Sequence, residues 1–258
     1  KRMMKHLRIA LLPLAAVASL AAGICCFSSS VLADEHEHFS GHIGVDVRDG
    51  SFVMGRFYKV DGVPHFDEDH KVFPVELELD DTLGYWISNE PGYAGFWKYN
   101  ANPVDLVGLK LGIAFADSVW KWDGSGFAPA ASERLRVINP NGPGFTESGS
   151  GPVAPAFWFT VGSDNWWHDH VPVRLISTAG DPNSPSDGIY LALLRIQSQD
   201  GSIGPSDLYA MVFNKGLSEA EHEAAMDWVV ENVVPEPASL TALAAGLAGL
   251  IAMRRRSA

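Results

Sequence analysis

Short runs of alternating or purely apolar residues, each closed by a turn signal, constrain this chain more than any other feature. They occur at 42–48, 52–60, 72–79, 107–115, 135–138, 157–161, 171–177, 189–197 and 208–213. Arg-Asp-Gly at 48–50, Val-Asp-Gly at 60–62, Pro-Asn-Gly at 140–142 and Gln-Asp-Gly at 199–201 punctuate them. Successive side chains point to opposite faces of a strand, so runs of this length between such turns read as β-strands. Many short strands with Gly/Pro punctuation predict an all-β body, a β-sandwich or jelly-roll, rather than an alternating α/β sheet. Residues 139–155, rich in Gly and Pro, read as a long mobile loop. No internal repeat interrupts the pattern.

One amphipathic helix follows the strands. Ser218 offers a cap and Glu221 answers it three residues later, the capping-box spacing. Leu217, Ala220, Ala224, Ala225, Trp228 and Val229 recur at helical spacing, which predicts the face laid on the sheet. His222, flanked by Glu219, Glu221 and Glu223, is expected in solvent.

The two ends carry apolar segments of a different kind. Lys1, Arg2, Lys5 and Arg8 precede the apolar stretch 9–27, and Val31-Leu32-Ala33 offers small residues for cleavage. Residues 1–33 therefore read as a signal peptide, to be removed by signal peptidase. Cys25 and Cys26 both fall inside it, and Ile24 stands where a lipidated cysteine would follow Gly or Ala. The expected exported domain, 34–232, then holds no cysteine, so disulfides and thiolate metal sites are excluded from it. At the other end, Pro235-Glu236-Pro237 leads into the apolar run 238–253, and Arg254, Arg255 and Arg256 follow. As a helix that run spans about 24 Å, short of the roughly 30 Å hydrocarbon core of a bilayer. Residues 233–258 resemble the PEP-CTERM sorting signal of bacterial envelope proteins. The resemblance implies recognition and processing by an exosortase-type protease. It also implies transient anchoring in the inner membrane with the arginines cytoplasmic, and delivery to the envelope, periplasm or extracellular matrix.

Charge narrows the partners. Setting aside the four basic residues of the first segment and the three of the tail, with Glu236, leaves 12 Lys+Arg against 30 Asp+Glu, a net charge of −18. Such a field repels nucleic acid and attracts divalent cations, while also serving simple solubility.

Seven of the eight histidines in that body lie in three tight groups: His36, His38 and His42; His65 and His70; His168 and His170. Each has carboxylates beside it, Asp46 among them. Imidazole and carboxylate are the ligands that suit Zn²⁺ where thiolates are absent. Residues i and i+2 of a strand share a face, so His168 and His170 can present two nitrogens to one ion, as can His36 and His38 if extended. A third ligand from another group would complete the site. Protonated imidazole binds no metal, so occupancy is expected to fall as pH drops through about 6.5. Separately, the first group reads equally as a solvated arm. The carboxylates of His65-Phe66-Asp67-Glu68-Asp69-His70 could instead serve Ca²⁺ or a polar turn.

Two rival readings are visible. Eight tryptophans, with Trp166-Trp167 beside His168, suggest a carbohydrate-binding, matrix or adhesion module in which exposed rings stack on sugars, although most tryptophans are core residues. The spacing Gly162-x5-His168-x-His170-x3-Arg174-x5-Gly180 resembles the first motif of the cupin metalloenzymes, which has a glutamate where Arg174 stands. The substitution sets a guanidinium against the metal and argues against a cupin-like enzyme. No nucleophile elbow, His-Glu-x-x-His helix or Walker loop supports another hydrolase.

A narrower resemblance covers most of the body. The pattern His36-x-His38…His42-x-Gly44-x-Asp46, the strand-turn 207–216 (DLYAMVFNKG) and the helix start 218–225 (SEAEHEAA) look like a PEP-CTERM family associated with zinc-uptake (Zur) regulation. That likeness implies an envelope protein made when zinc is scarce, with zinc binding as its expected, non-catalytic activity. His36, His38, His42 and Asp46 are the leading candidate ligands, then His168 and His170, then His65 and His70.

Overall fold

Three β-sheets and one C-terminal helix make up the structure, a computed structural model that describes residues 41–233. In chain order the strands begin β1 (His42–Arg48), β2 (Ser51–Val60), β3 (Val63–Asp67), β4 (Val72–Glu76), β5 (Glu78–Asp80), β6 (Tyr85–Ser88) and β7 (Tyr93–Gly95). A 3-10 turn at Trp97–Tyr99 precedes β8 (Lys110–Phe115), β9 (Trp120–Trp122), β10 (Phe127–Pro129), β11 (Glu133–Ile138) and β12 (Phe145–Glu147). Then come β13 (Phe159–Thr160), β14 (His168–Asp169), β15 (Val173–Ser177), β16 (Gly188–Ser198), β17 (Tyr209–Lys215) and the helix α1 (Glu219–Asn232). The all-β body with a single trailing helix is the fold class that the turn punctuation predicts. The signal segment, His36, His38 and the apolar run 238–253 lie outside the described residues. No helix of the described residues is long and apolar enough to cross a membrane.

The first sheet has the order β14-β7-β1-β2-β3, and the third has the order β12-β11-β15-β6-β5. The second sheet has the order β10-β9-β16-β17-β4, with β8 on β16 and β13 on β8. Pairing is antiparallel except for β1 with β7 and β17 with β4. The Asp-Gly signals form the two-residue hairpins between β1 and β2 and between β2 and β3. Positive φ at Asp49 and Gly50, and again at Asp61 and Gly62, gives the turn twist that matches paired strands.

Strands β16 and β17 read as continuous apolar runs because both of their faces are covered. Tyr190, Ala192, Leu194, Ile196, Tyr209, Met211 and Phe213 face the main core with residues of the other two sheets. Ile189, Leu191, Ala210 and Val212 face α1, which contributes Trp228, and the aromatic neighbours Trp120, Trp122 and Phe127. The capping box forms as predicted, with Ser218 and Glu221 bonded reciprocally. The buried face of α1 differs from the predicted stripe. Ala220 and Ala224 are exposed, while His222, Ala225 and Val229 are buried. His222 is not solvated: its Nδ1 lies 2.8 Å from Glu76 Oε1 and its Nε2 lies 2.8 Å from the Val212 carbonyl oxygen, so two sheet acceptors draw it inward.

The segment 139–155 also departs from expectation. It contains β12, paired with β11 through Phe145↔Ile138, and Val153 exchanges backbone hydrogen bonds with Phe115 at 2.9 and 3.0 Å. Its Gly and Pro residues shape turns in a segment fastened at both ends.

A polar network joins the third sheet to the second one. Ser186 Oγ donates to Glu133 Oε1 at 2.6 Å and receives Lys121 Nζ at 2.7 Å, while the Tyr190 hydroxyl donates to the Ser186 carbonyl at 2.7 Å. Burial pushes the Tyr190 hydroxyl up to about 12. Burial also acts to raise Glu133, but the Ser186 hydroxyl and the Lys121 charge outweigh it, leaving the carboxyl below its ordinary 4.5. A group depressed on folding stabilises the protein above its unfolded value and loses that contribution as pH falls through the folded value. Glu133→Gln is therefore expected to lower the urea midpoint at pH 7 and to shrink the further drop seen on going to about pH 3. An identical pH dependence in the two proteins would refute this role.

Candidate metal centre

Strand pairing places three histidines from two of the predicted groups side by side. β1 and β7 run parallel with Ile43 opposite Tyr93, and the Ile43 N–H donates to the Gly92 carbonyl at 2.8 Å. β14 pairs with the other edge of β7, setting His168 opposite Ala94 and Asp169 opposite Tyr93. Carried one residue on, that register sets His170 opposite Gly92. His42, Gly92 and His170 thus form one row, and His168, opposite Ala94, stands two rows along on the same face.

The rings meet on one face. His42 Nε2 and His168 Nε2 are 3.1 Å apart. The centroids of His42 and His170 are 5.1 Å apart, and those of His168 and His170 are 5.2 Å apart. One nitrogen from each of His42, His168 and His170 lies within 4.8 Å of the others, His42 being buried and the other two half-buried. Tetrahedral Zn²⁺ with bonds of about 2.0–2.1 Å requires ligand nitrogens roughly 3.3 Å apart, close to the 3.1 Å between the His42 and His168 nitrogens. Three neutral imidazoles are also a donor set suited to Zn²⁺ and poorly suited to Ca²⁺, which takes oxygen ligands.

Surrounding residues hold the rings. Gly92 lies flush against them: a Cβ there would sit 2.8 Å from His42 Nε2 and 3.1 Å from His170 Cε1. Trp166 stacks on His168 at 5.4 Å with the planes 11° apart, and Lys98 Nζ lies 5.1 Å from the Trp166 ring. Between the two histidines, Asp169 points the other way and accepts the Trp167 indole N–H at 2.7 Å. Burial holds the Asp169 carboxyl above the ordinary carboxylate range, against the Trp167 bond that favours its charge. His170 Nδ1 is 2.8 Å from Glu90 Oε1.

The other candidates lie elsewhere. Asp46 is completely buried, with Oδ1 accepting from Val47 N and Asn100 Nδ2 and Oδ2 accepting from Arg48 Nε; it fixes backbone and loop and is not part of the triad. His65 stacks on Tyr58 at 5.3 Å, and His70 meets Phe73 edge-on at 5.1 Å. His65 and the neighbouring Asp67 sit on β3 rather than in a polar turn, and Glu68 pairs with Arg48. Among the described residues, the carboxylates of 67–69 do not gather into a group able to share an ion. His36 and His38 lie outside the described residues.

Both rival sites lose their geometry. Trp167 is 2 % exposed, which leaves no face for a sugar, and Trp166 has one face against His168. Arg174 belongs to the third sheet, where it lies 3.9 Å over the Tyr85 ring and donates to Asn183. The cupin-like spacing therefore does not bring position 174 to the triad, and the third imidazole comes from upstream, at residue 42. Glu90 and Gly92 escaped sequence reasoning because Glu-Pro-Gly reads as a turn. A period-2 histidine pair fixes a face, but not the turn that frames it.

Residues 233–256 match the PEP-CTERM protein-sorting motif. The motif implies export and sorting to the cell envelope, with processing by an exosortase. It covers the tail alone. No curated protein matches the chain.

Proposed function

We propose that this protein captures Zn²⁺ in the bacterial envelope, for storage or delivery, without catalysing a reaction. Convergence of His42, His168 and His170, with nitrogens within 4.8 Å, carries the reading. The donor set selects a borderline divalent ion, and the acidic body concentrates cations around it. In this reading signal peptidase removes residues 1–33. The apolar run 238–253 then holds the protein in the inner membrane until the exosortase acts, and the product resides in the periplasm or the extracellular matrix. The likeness to the zinc-regulated PEP-CTERM family agrees with synthesis under zinc scarcity.

Isothermal titration of the purified protein with zinc at neutral pH is expected to show uptake of one ion per triad, weakening at about pH 5 where imidazole is protonated. Replacing His42, His168 and His170 together by alanine should abolish it, with circular dichroism confirming the fold. Replacing His168 alone, which is half-buried, serves if the triple variant unfolds. Absence of uptake by the wild type, or equal uptake by the folded variant, would sink the proposal.

A further inference from the structure

We infer that Glu90 is the positioning residue of this centre, selecting the ring nitrogen that His170 turns toward the ion; the inference rests on the metal-binding reading above. An ionised carboxylate only accepts hydrogen bonds. With Glu90 Oε1 2.8 Å from His170 Nδ1, the neutral ring must carry its proton on Nδ1, which leaves the lone pair on Nε2. His42 and His168 already approach each other through Nε2. All three rings then present the same kind of nitrogen.

The carboxylate is itself held in place. Its second oxygen, Oε2, accepts the Gly92 N–H at 3.1 Å, so the residue that leaves room beside His42 also anchors Glu90. Ser88 Oγ accepts the Glu90 N–H at 3.2 Å and donates to the Glu90 carbonyl at 3.1 Å, closing the turn. One five-residue segment thereby clears space for one imidazole and aims another. The Glu90 side chain is 64 % exposed, so its replacement leaves the core untouched. A carboxylate behind a ligating imidazole fixes the tautomer and orientation of the ring and raises its donor strength. Removing such a partner elsewhere costs about 10–100-fold in metal affinity.

Two substitutions and two readouts test this. Glu90→Ala is expected to weaken zinc binding by about 10–100-fold in isothermal titration. Glu90→Gln, whose side-chain carbonyl can still accept from Nδ1, should recover most of that loss. In the metal-free protein, nitrogen-15 NMR of the histidine rings should place the His170 proton on Nδ1 in the wild type and in Glu90→Gln, and not in Glu90→Ala. If the wild type takes up zinc and Glu90→Ala binds it equally well, or if the His170 tautomer is unchanged in Glu90→Ala, the assignment is overturned while the metal reading stands. If the wild type takes up no zinc, the metal reading falls, and the assignment with it.

Discussion

Adding a single methyl group at position 92 is expected to weaken the proposed zinc binding sharply while leaving the fold standing. The new Cβ of Gly92→Ala would lie 2.8 Å from His42 Nε2 and 2.9 Å from its Cδ2, distances that carbon does not tolerate. The His42 ring is 2 % exposed and packed, so it must rotate or shift the β1–β7 pairing. Either response pulls one nitrogen of three out of reach. Structural zinc sites bind with roughly 10–16 kcal/mol from four ligands, so one lost ligand corresponds to about 3 kcal/mol, or roughly 100-fold. Overpacking itself costs about 1–3 kcal/mol, which a folded domain of this size survives. Titration with zinc, beside urea unfolding of the metal-free protein, separates the two effects. Wild-type affinity in Gly92→Ala would show that position 92 does not frame the site.

Trp97→Ala should produce the largest loss of stability, about 3–5 kcal/mol by analogy with other buried aromatic truncations. The indole is fully buried and donates from Nε1 to the Asn165 carbonyl at 3.0 Å. Asn165 has φ of 60° and uses its side chain to accept from Leu106 N at 2.8 Å and donate to the Val104 carbonyl at 2.8 Å. That residue launches Trp166, Trp167 and His168, so the tryptophan supports the loop from which one imidazole of the triad emerges. Urea denaturation should show a lower midpoint, and zinc affinity of the surviving folded protein should fall as well. A shift below about 1 kcal/mol would contradict the packing argument.

Much of this architecture is written in local patterns. Asp49-Gly50 and Asp61-Gly62 specify hairpins because few other residues accept positive φ, and Ser218 with Glu221 specifies the start of α1. Strands β7 and β14, of three and two residues, carry too little periodicity to be read, yet they bring His168 and His170 to His42. The i, i+2 rule could assign His168 and His170 to one face. It could not say that the third imidazole would be His42 rather than His65 or His70, because that depends on strand order. Asp46 illustrates the same limit: a carboxylate near histidines in sequence is consumed by Arg48 and Asn100 in space. His222 was hidden for a related reason, since its side-chain partner Glu76 lies 146 residues away and its other acceptor is a backbone carbonyl, which no side-chain pattern reveals.

The edge of the first sheet gives the triad a second meaning. β14 is held to β7 by a two-residue ladder, whereas His42 begins the long β1–β2 hairpin. Positions 42 and 168 are 126 residues apart, so an ion gripped by both would close a very large loop and rivet one of the shortest strands to a long hairpin. Captured cation and mechanical clasp would then be the same object. Were the triad to hold such an ion, stripping it would loosen that margin and open it to proteases, making the protein's lifetime a readout of the metal around it.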